Sequence, residues 1–176
     1  LFFGVSAGVM DSMINHYTAN KRLRSNDAYT ADGKTGMRPD RATIVYCNIL
    51  KKLFPEVPIV LGGIEGSLRR ITHYDYWDDK LHKSILMDTD ADILVYGMGE
   101  LPLRQIVSEL KTGKKIGEIT DIPQTAIARP KNAIPLNPFD EEIRLYSHEE
   151  CLKDKIKQAK NFRIVEEQSN RIHAAR

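Results

Sequence analysis

Residues 69–79 crowd together groups able to do chemistry: two guanidiniums (Arg69, Arg70), an imidazole (His73), three carboxylates (Asp75, Asp78, Asp79) and three large aromatics (Tyr74, Tyr76, Trp77). Arg and aromatic side chains are the types enriched at binding hot spots. Binding residues also concentrate on loops held by a rigid scaffold. The cluster is therefore read as a ligand face or an interdomain face, with Arg69 and Arg70 offered to an anionic group and His73 and Asp75 positioning it. The same composition suits a solvated loop that anchors two or three aromatics in a core.

Three short turns form a second set. Ser6-Ala7-Gly8 follows the first apolar run, with Asp11 just beyond it. Gly62-Gly63-Ile64-Glu65-Gly66-Ser67 follows the second, and Gly97-Met98-Gly99-Glu100 the third. Glycine lets a backbone approach a ligand closely, and ligands of open α/β sheets bind outside the carboxyl ends of the strands. No G-x-G-x-x-G fingerprint follows a strand, because Leu101-Pro102 stands where the third glycine would be. Each turn alone is best explained by close helix–sheet packing. As a set they belong on one edge of a sheet.

Other reactive types are scattered. His16, His82, His148 and His173 lack metal-site spacing and read as surface or capping residues. Cys47 falls on the apolar stripe of a helix and reads as buried and inert. Asp88, Asp90 and Asp92 alternate like part of a calcium loop but lack its glycine and terminal glutamate. The lysine-rich run at residues 153–160 reads as a solvated helix face. No metal site is expected within the chain.

The elements that must position these groups follow from periodicity. Residues 1–7, 59–61 and 93–96 are apolar runs with the character of strands buried on both faces. Met10, Met13, Ile14 and Tyr17 predict a helix after the first. Residues 25–38 carry no apolar period and read as a long loop, the kind that is usually functional or disordered. Pro39-Asp40 opens a helix along Ala42, Val45, Tyr46, Ile49, Leu50 and Leu53. A short helix or turn is expected at residues 80–87. Leu103, Ile106, Val107 and Leu110 mark a helix that Gly113 ends. Residues 125–128 allow a fourth strand. From Ser147, capped by a box with Glu150, one helix runs to about Asn170.

Strands alternating with helices imply an α/β fold: a Rossmann-like, doubly wound, mostly parallel sheet. The expected organisation is a Rossmann-like domain at 1–129, a proline-rich linker at 130–146 and a helical extension at 147–176. The chain has 176 residues and a formal net charge of +2, so no global field recruits nucleic acid or an anionic membrane. No run reaches a membrane span. Two cysteines without a disulfide framework suggest a reducing, cytoplasmic setting. An opening without Met inside a strand pattern, and a close on Ile172-His173-Ala174-Ala175-Arg176 without a helix stop, read as a piece of a longer protein.

The stretches LFFGVSAGVMDSMINHYTANKRLRSNDAYTADGKTGMRPDRATIVY, PIVLGGIEGSLRRITHYDYWDDKLHKSIL and ADILVYGMGE resemble the N-terminal domain of the YgiQ-type radical SAM proteins. The segment YSHEECLKDKIKQAKNFRIVEEQ is similar to the helical part that follows it there. The resemblance implies a larger bacterial protein with a catalytic barrel. Three cysteines outside this chain would hold a [4Fe–4S] cluster, and S-adenosylmethionine would bind the remaining iron. It implies that the present chain is an accessory domain packed on that barrel, facing an unknown small-molecule or macromolecular substrate. No cofactor is expected in the chain itself. GGIEGS and YGMGE are also similar to turns of cobalamin-binding domains. The D-x-H-x-x-G motif of those domains is absent around His16 and His73, so that likeness extends only to a corrinoid held without a histidine ligand. Two other roles fit the residues: a docking module that holds no ligand, and an independent corrinoid- or nucleotide-binding domain.

Overall fold

A computed structural model describes residues 1–130 and 143–170. The residues group into two compact units. The first comprises Leu1–Ile71 with Ser84–Ala128, and the second Thr72–Lys83 with the described residues from Arg129 onward.

The first unit is an α/β layer structure. Its elements run β1 (Phe3–Val5), α1 (Ser12–His16), α2 (Ala42–Leu53), β2 (Ile59–Leu61), α3 (Gly63–Leu68) and, past the second unit's hairpin, α4 (Leu86–Thr89), β5 (Ile93–Val95), α5 (Glu100–Lys111) and β6 (Thr125–Ala126). That hairpin supplies β3 (His73–Asp75) and β4 (Lys80–His82). The sheet order is β1-β2-β5-β6. The first three strands are parallel, with Val5 beside Leu61 and Leu61 beside Leu94, and β6 joins antiparallel. The fold is thus α/β with a mostly parallel mixed sheet, an arrangement compatible with a Rossmann-like fold.

Alternation along the strands divides the core. Ile59, Leu61 and Leu94 pack on one face with Cys47 of α2 and Leu86 of α4. Val60, Ile93 and Val95 pack on the other with Ile106 of α5. Strands apolar on both faces are what a covered parallel sheet requires.

Several expected boundaries move. The helix after β1 is a single turn, because the chain leaves it at Tyr17 in extended backbone. The helix expected at Pro39-Asp40 begins at Ala42, after Arg41 in a left-handed conformation (φ 51°). Asp40 is drawn off by His16 and Tyr17, whose Nδ1 and hydroxyl lie 3.0 and 2.9 Å from its carboxylate. The expected helix or turn at 80–87 is split into strand β4 and helix α4.

In the second unit β3 and β4 form an antiparallel hairpin, His73 opposite His82 and Asp75 opposite Lys80. The single helix expected from Ser147 is two: α6 (His148–Lys153) and α7 (Lys155–Ser169). Asp154 leaves helical geometry (φ −142°, ψ 106°) and its side chain caps α7 at the Ile156 N–H, which an apolar period running across the break conceals. The Ser147–Glu150 capping box forms as read. Most of the stretch read as a linker, and the chain end at 172–176 with His173, lie outside the described residues.

Candidate functional site

The three glycine turns converge. A cleft of about 510 Å³ is lined by Ser6 from the first turn, Gly62 and Gly63 from the second, and Gly97, Gly99 and Glu100 from the third, with Phe2, Val5, Val60, Leu61, Val95 and Leu103 as its apolar walls. Contacts between the turns are close. Gly63 adopts φ +81°, and a Cβ there would meet the Ser6 Cβ at 3.0 Å and the Gly8 carbonyl at 3.6 Å. The position suits glycine on both counts. Glu100 is the one charged side chain among the described residues lining the cleft.

Each turn also exposes apolar side chains. Val9 is 79% exposed, Ile64 50%, Met98 74% and Leu101 60%.

The polar residues of these turns work inside the unit. Asp11 Oδ1 accepts from the Met13 and Ile14 N–H groups and so caps α1. Its other oxygen pairs with Arg69. Glu65, 1% exposed, accepts from the Ser12 N–H at 2.7 Å and the Thr43 N–H at 3.1 Å, so one carboxylate serves the starts of both α1 and α2. Arg70 donates to the Ser67 carbonyl and lies 4.8 Å over the Tyr96 ring. The Ser67 hydroxyl donates to the Gly63 carbonyl, and the Gly8 N–H to Ser6 Oγ. Arg69, read as an anion ligand, therefore has its charge matched internally.

The long loop at 25–38 is strapped to the turn after β1. Arg38 Nε donates to Asp27 at 2.8 Å, Nη1 donates to the Ala7 carbonyl, and the guanidinium lies over Tyr29. The Tyr29 hydroxyl accepts from the Val9 N–H. His16, read as an isolated surface or capping residue, is buried, its ring between Asp40 and Asp27. Nothing adjacent in sequence marks this role, since both partners come from later segments of the chain.

His73, Tyr74, Asp75, Tyr76 and Trp77 belong to the second unit, whereas the glycine turns and both arginines belong to the first. There the hairpin brings Asp75, Asp78 and His82 together, with one ligand atom from each all within 4.8 Å of one another. Asp75 is buried and also accepts from the Trp77 and Asp78 N–H groups, which fixes the turn. The Tyr74 hydroxyl donates to Asp79. His82 was missed as a site residue because its partners precede it across a turn read as irregular.

The cysteines do not fit an iron–sulfur cluster. The chain has two, Cys47 and Cys151, where a cluster loop needs three. Both are buried, and burial pushes the Cys47 thiol up to about 12 and raises that of Cys151 as well.

No helix among the described residues is long and apolar enough to cross a membrane. Comparison with known proteins adds the context. The family profile described as Radical SAM N-terminal matches residues 1–176. A UPF0313 protein of Porphyromonas gingivalis is 59% identical over all of this chain and 28% of its own length. A UPF0313 protein of Bacteroides thetaiotaomicron is 54% identical over all of this chain and 30% of its own length. The UPF0313 protein YgiQ of Escherichia coli K12 is 55% identical over 77% of this chain and 18% of its own length. The chain thus spans less than a third of these curated relatives. No solved structure matches it.

Proposed function

The chain belongs to the Radical SAM N-terminal family, and on that premise we propose that it is the accessory domain of a radical SAM enzyme, its strand-end face closing over the substrate and cofactor site of the catalytic portion. The observation that supports this reading is the convergence of three turns on one cleft, each turn carrying exposed apolar side chains. Val9, Ile64, Met98 and Leu101 give that face the character of a contact surface. The relatives are long enough to supply the covering portion. The [4Fe–4S] cluster and S-adenosylmethionine belong, in this reading, to residues outside the chain, since its own cysteines do not suit a cluster. What this chain contributes is the apolar, water-excluding wall and the single carboxylate of Glu100.

Leu101→Glu in the full-length protein tests the proposal. It puts a charge on the contact surface away from the core. Reductive formation of 5′-deoxyadenosine falls while iron content stays unchanged. An unchanged rate with unchanged iron contradicts the reading.

The cleft lining favours a second, narrower role as a binding site. Its walls are glycine and apolar side chains with the one hydroxyl of Ser6, Glu100 supplies its charge, and Arg69 is neutralised by Asp11. That chemistry suits a neutral or cationic ligand better than the phosphates of a nucleotide.

A further inference from the structure

We propose that Asp75, Asp78 and His82 form a binding site for a divalent first-row transition-metal ion, separate from any cluster held elsewhere in the protein.

The hairpin builds the site. His73 and Asp75 are two residues apart on β3 and so share a face. His82 pairs with His73 across the ladder and brings its imidazole to that face, the two rings stacked 6.0 Å apart. Asp78 comes from the connecting turn, which closes with Asp79 in the left-handed region (φ 55°), a conformation aspartate tolerates. One imidazole nitrogen and two carboxylate oxygens then lie within 4.8 Å of one another. Bonds of about 2.0–2.2 Å to a central ion separate neighbouring ligand atoms by about 3–4 Å, so small rotations of these side chains suffice.

A second observation points the same way. His82 Nε2 is shielded from solvent and lies 3.1 Å from Asp78 Oδ2, so the imidazole and one carboxylate already face each other. Asp75, buried and with its orientation set by two backbone N–H groups, supplies the fixed ligand. A donor set of one imidazole and two carboxylates suits Mn²⁺, Fe²⁺ or Zn²⁺ and is less suited to Mg²⁺, which takes oxygen ligands.

The test uses Mn²⁺ with the full-length protein, because Mn²⁺ has little affinity for cysteine thiolates. Free Mn²⁺ is read from its room-temperature paramagnetic resonance spectrum, and electron spin-echo modulation reports nitrogen ligation. The expected result is one bound Mn²⁺ per chain with imidazole ¹⁴N modulation, displaced by Zn²⁺ and retained against tenfold Mg²⁺. His82→Ala removes the modulation and weakens binding at least about tenfold. Asp78→Asn, which keeps the side-chain shape, weakens it as well and guards against a folding defect in the first variant. Asp88→Asn, in the other unit, leaves binding unchanged. Absence of a bound ion in the parent protein, or binding by His82→Ala and Asp78→Asn as tight as the parent's, overturns the proposal.

Discussion

The guanidinium of Arg69 pairs with the carboxylate of Asp11, 58 positions earlier in the chain, and ties the end of α3 to the start of α1. The side chains are 12% and 2% exposed, so the pair is largely desolvated. Removing one partner of such a pair leaves an uncompensated buried charge. Arg69→Ala is predicted to cost about 3–5 kcal/mol of stability. Arg69→Met combined with Asp11→Asn recovers part of that loss, because no charge is left alone. Denaturant midpoints followed by circular dichroism decide. A single variant within about 0.5 kcal/mol of the parent shows the pair to be unimportant.

Acid is predicted to loosen the loop at 25–38 through Asp27. Burial alone would raise its pKa. Hydrogen bonds from Arg38, the Tyr29 N–H and Asn15 more than offset that and hold it at about 2, against 3.8 when unperturbed. The folded value lies below the unfolded one, so the stabilisation is complete above 3.8 and is lost as pH falls through about 2. Asp27→Asn removes this contribution. Its melting temperature is lower at neutral pH, and the gap to the parent narrows across that acid window. Parallel profiles for the two proteins contradict the assignment.

Cys47 and Cys151 are predicted to resist alkylation in the native state. The thiolate is the nucleophile, and burial disfavours it at both positions. Peptide-resolved iodoacetamide labelling at pH 8 modifies less than about a tenth of either residue before unfolding and nearly all afterwards. Fast native labelling of Cys47 shows its helix face to be open.

How much of this was legible depends on how far apart the partners lie. β2 and β5 are short apolar runs closed by glycine, and the first and last of these signals are local. The Ser147–Glu150 box is equally local. Glu65 was legible as a turn residue, but its task of capping two helices depends on Ser12 and Thr43, which only the fold delivers. The charge of Arg69 is plain in the sequence, whereas its pairing with Asp11 exists only in the fold. The hairpin at 73–82 carries mixed polar and aromatic residues without clean alternation, so its strands, and with them the neighbourhood of His82, escaped a reading based on period. The break at Asp154 escaped for the opposite reason: the apolar stripe continues across it while the backbone does not.

The central claim, that the strand-end face of the first unit meets the catalytic portion of the same protein, is tested most directly by placing a photo-crosslinking benzophenone at Met98, which is 74% exposed. In the full-length protein, irradiation is predicted to give intramolecular crosslinks to residues of the same polypeptide that lie outside this chain, as read by mass spectrometry. Crosslinks confined to residues 1–176, or to a second copy of the protein, contradict the account.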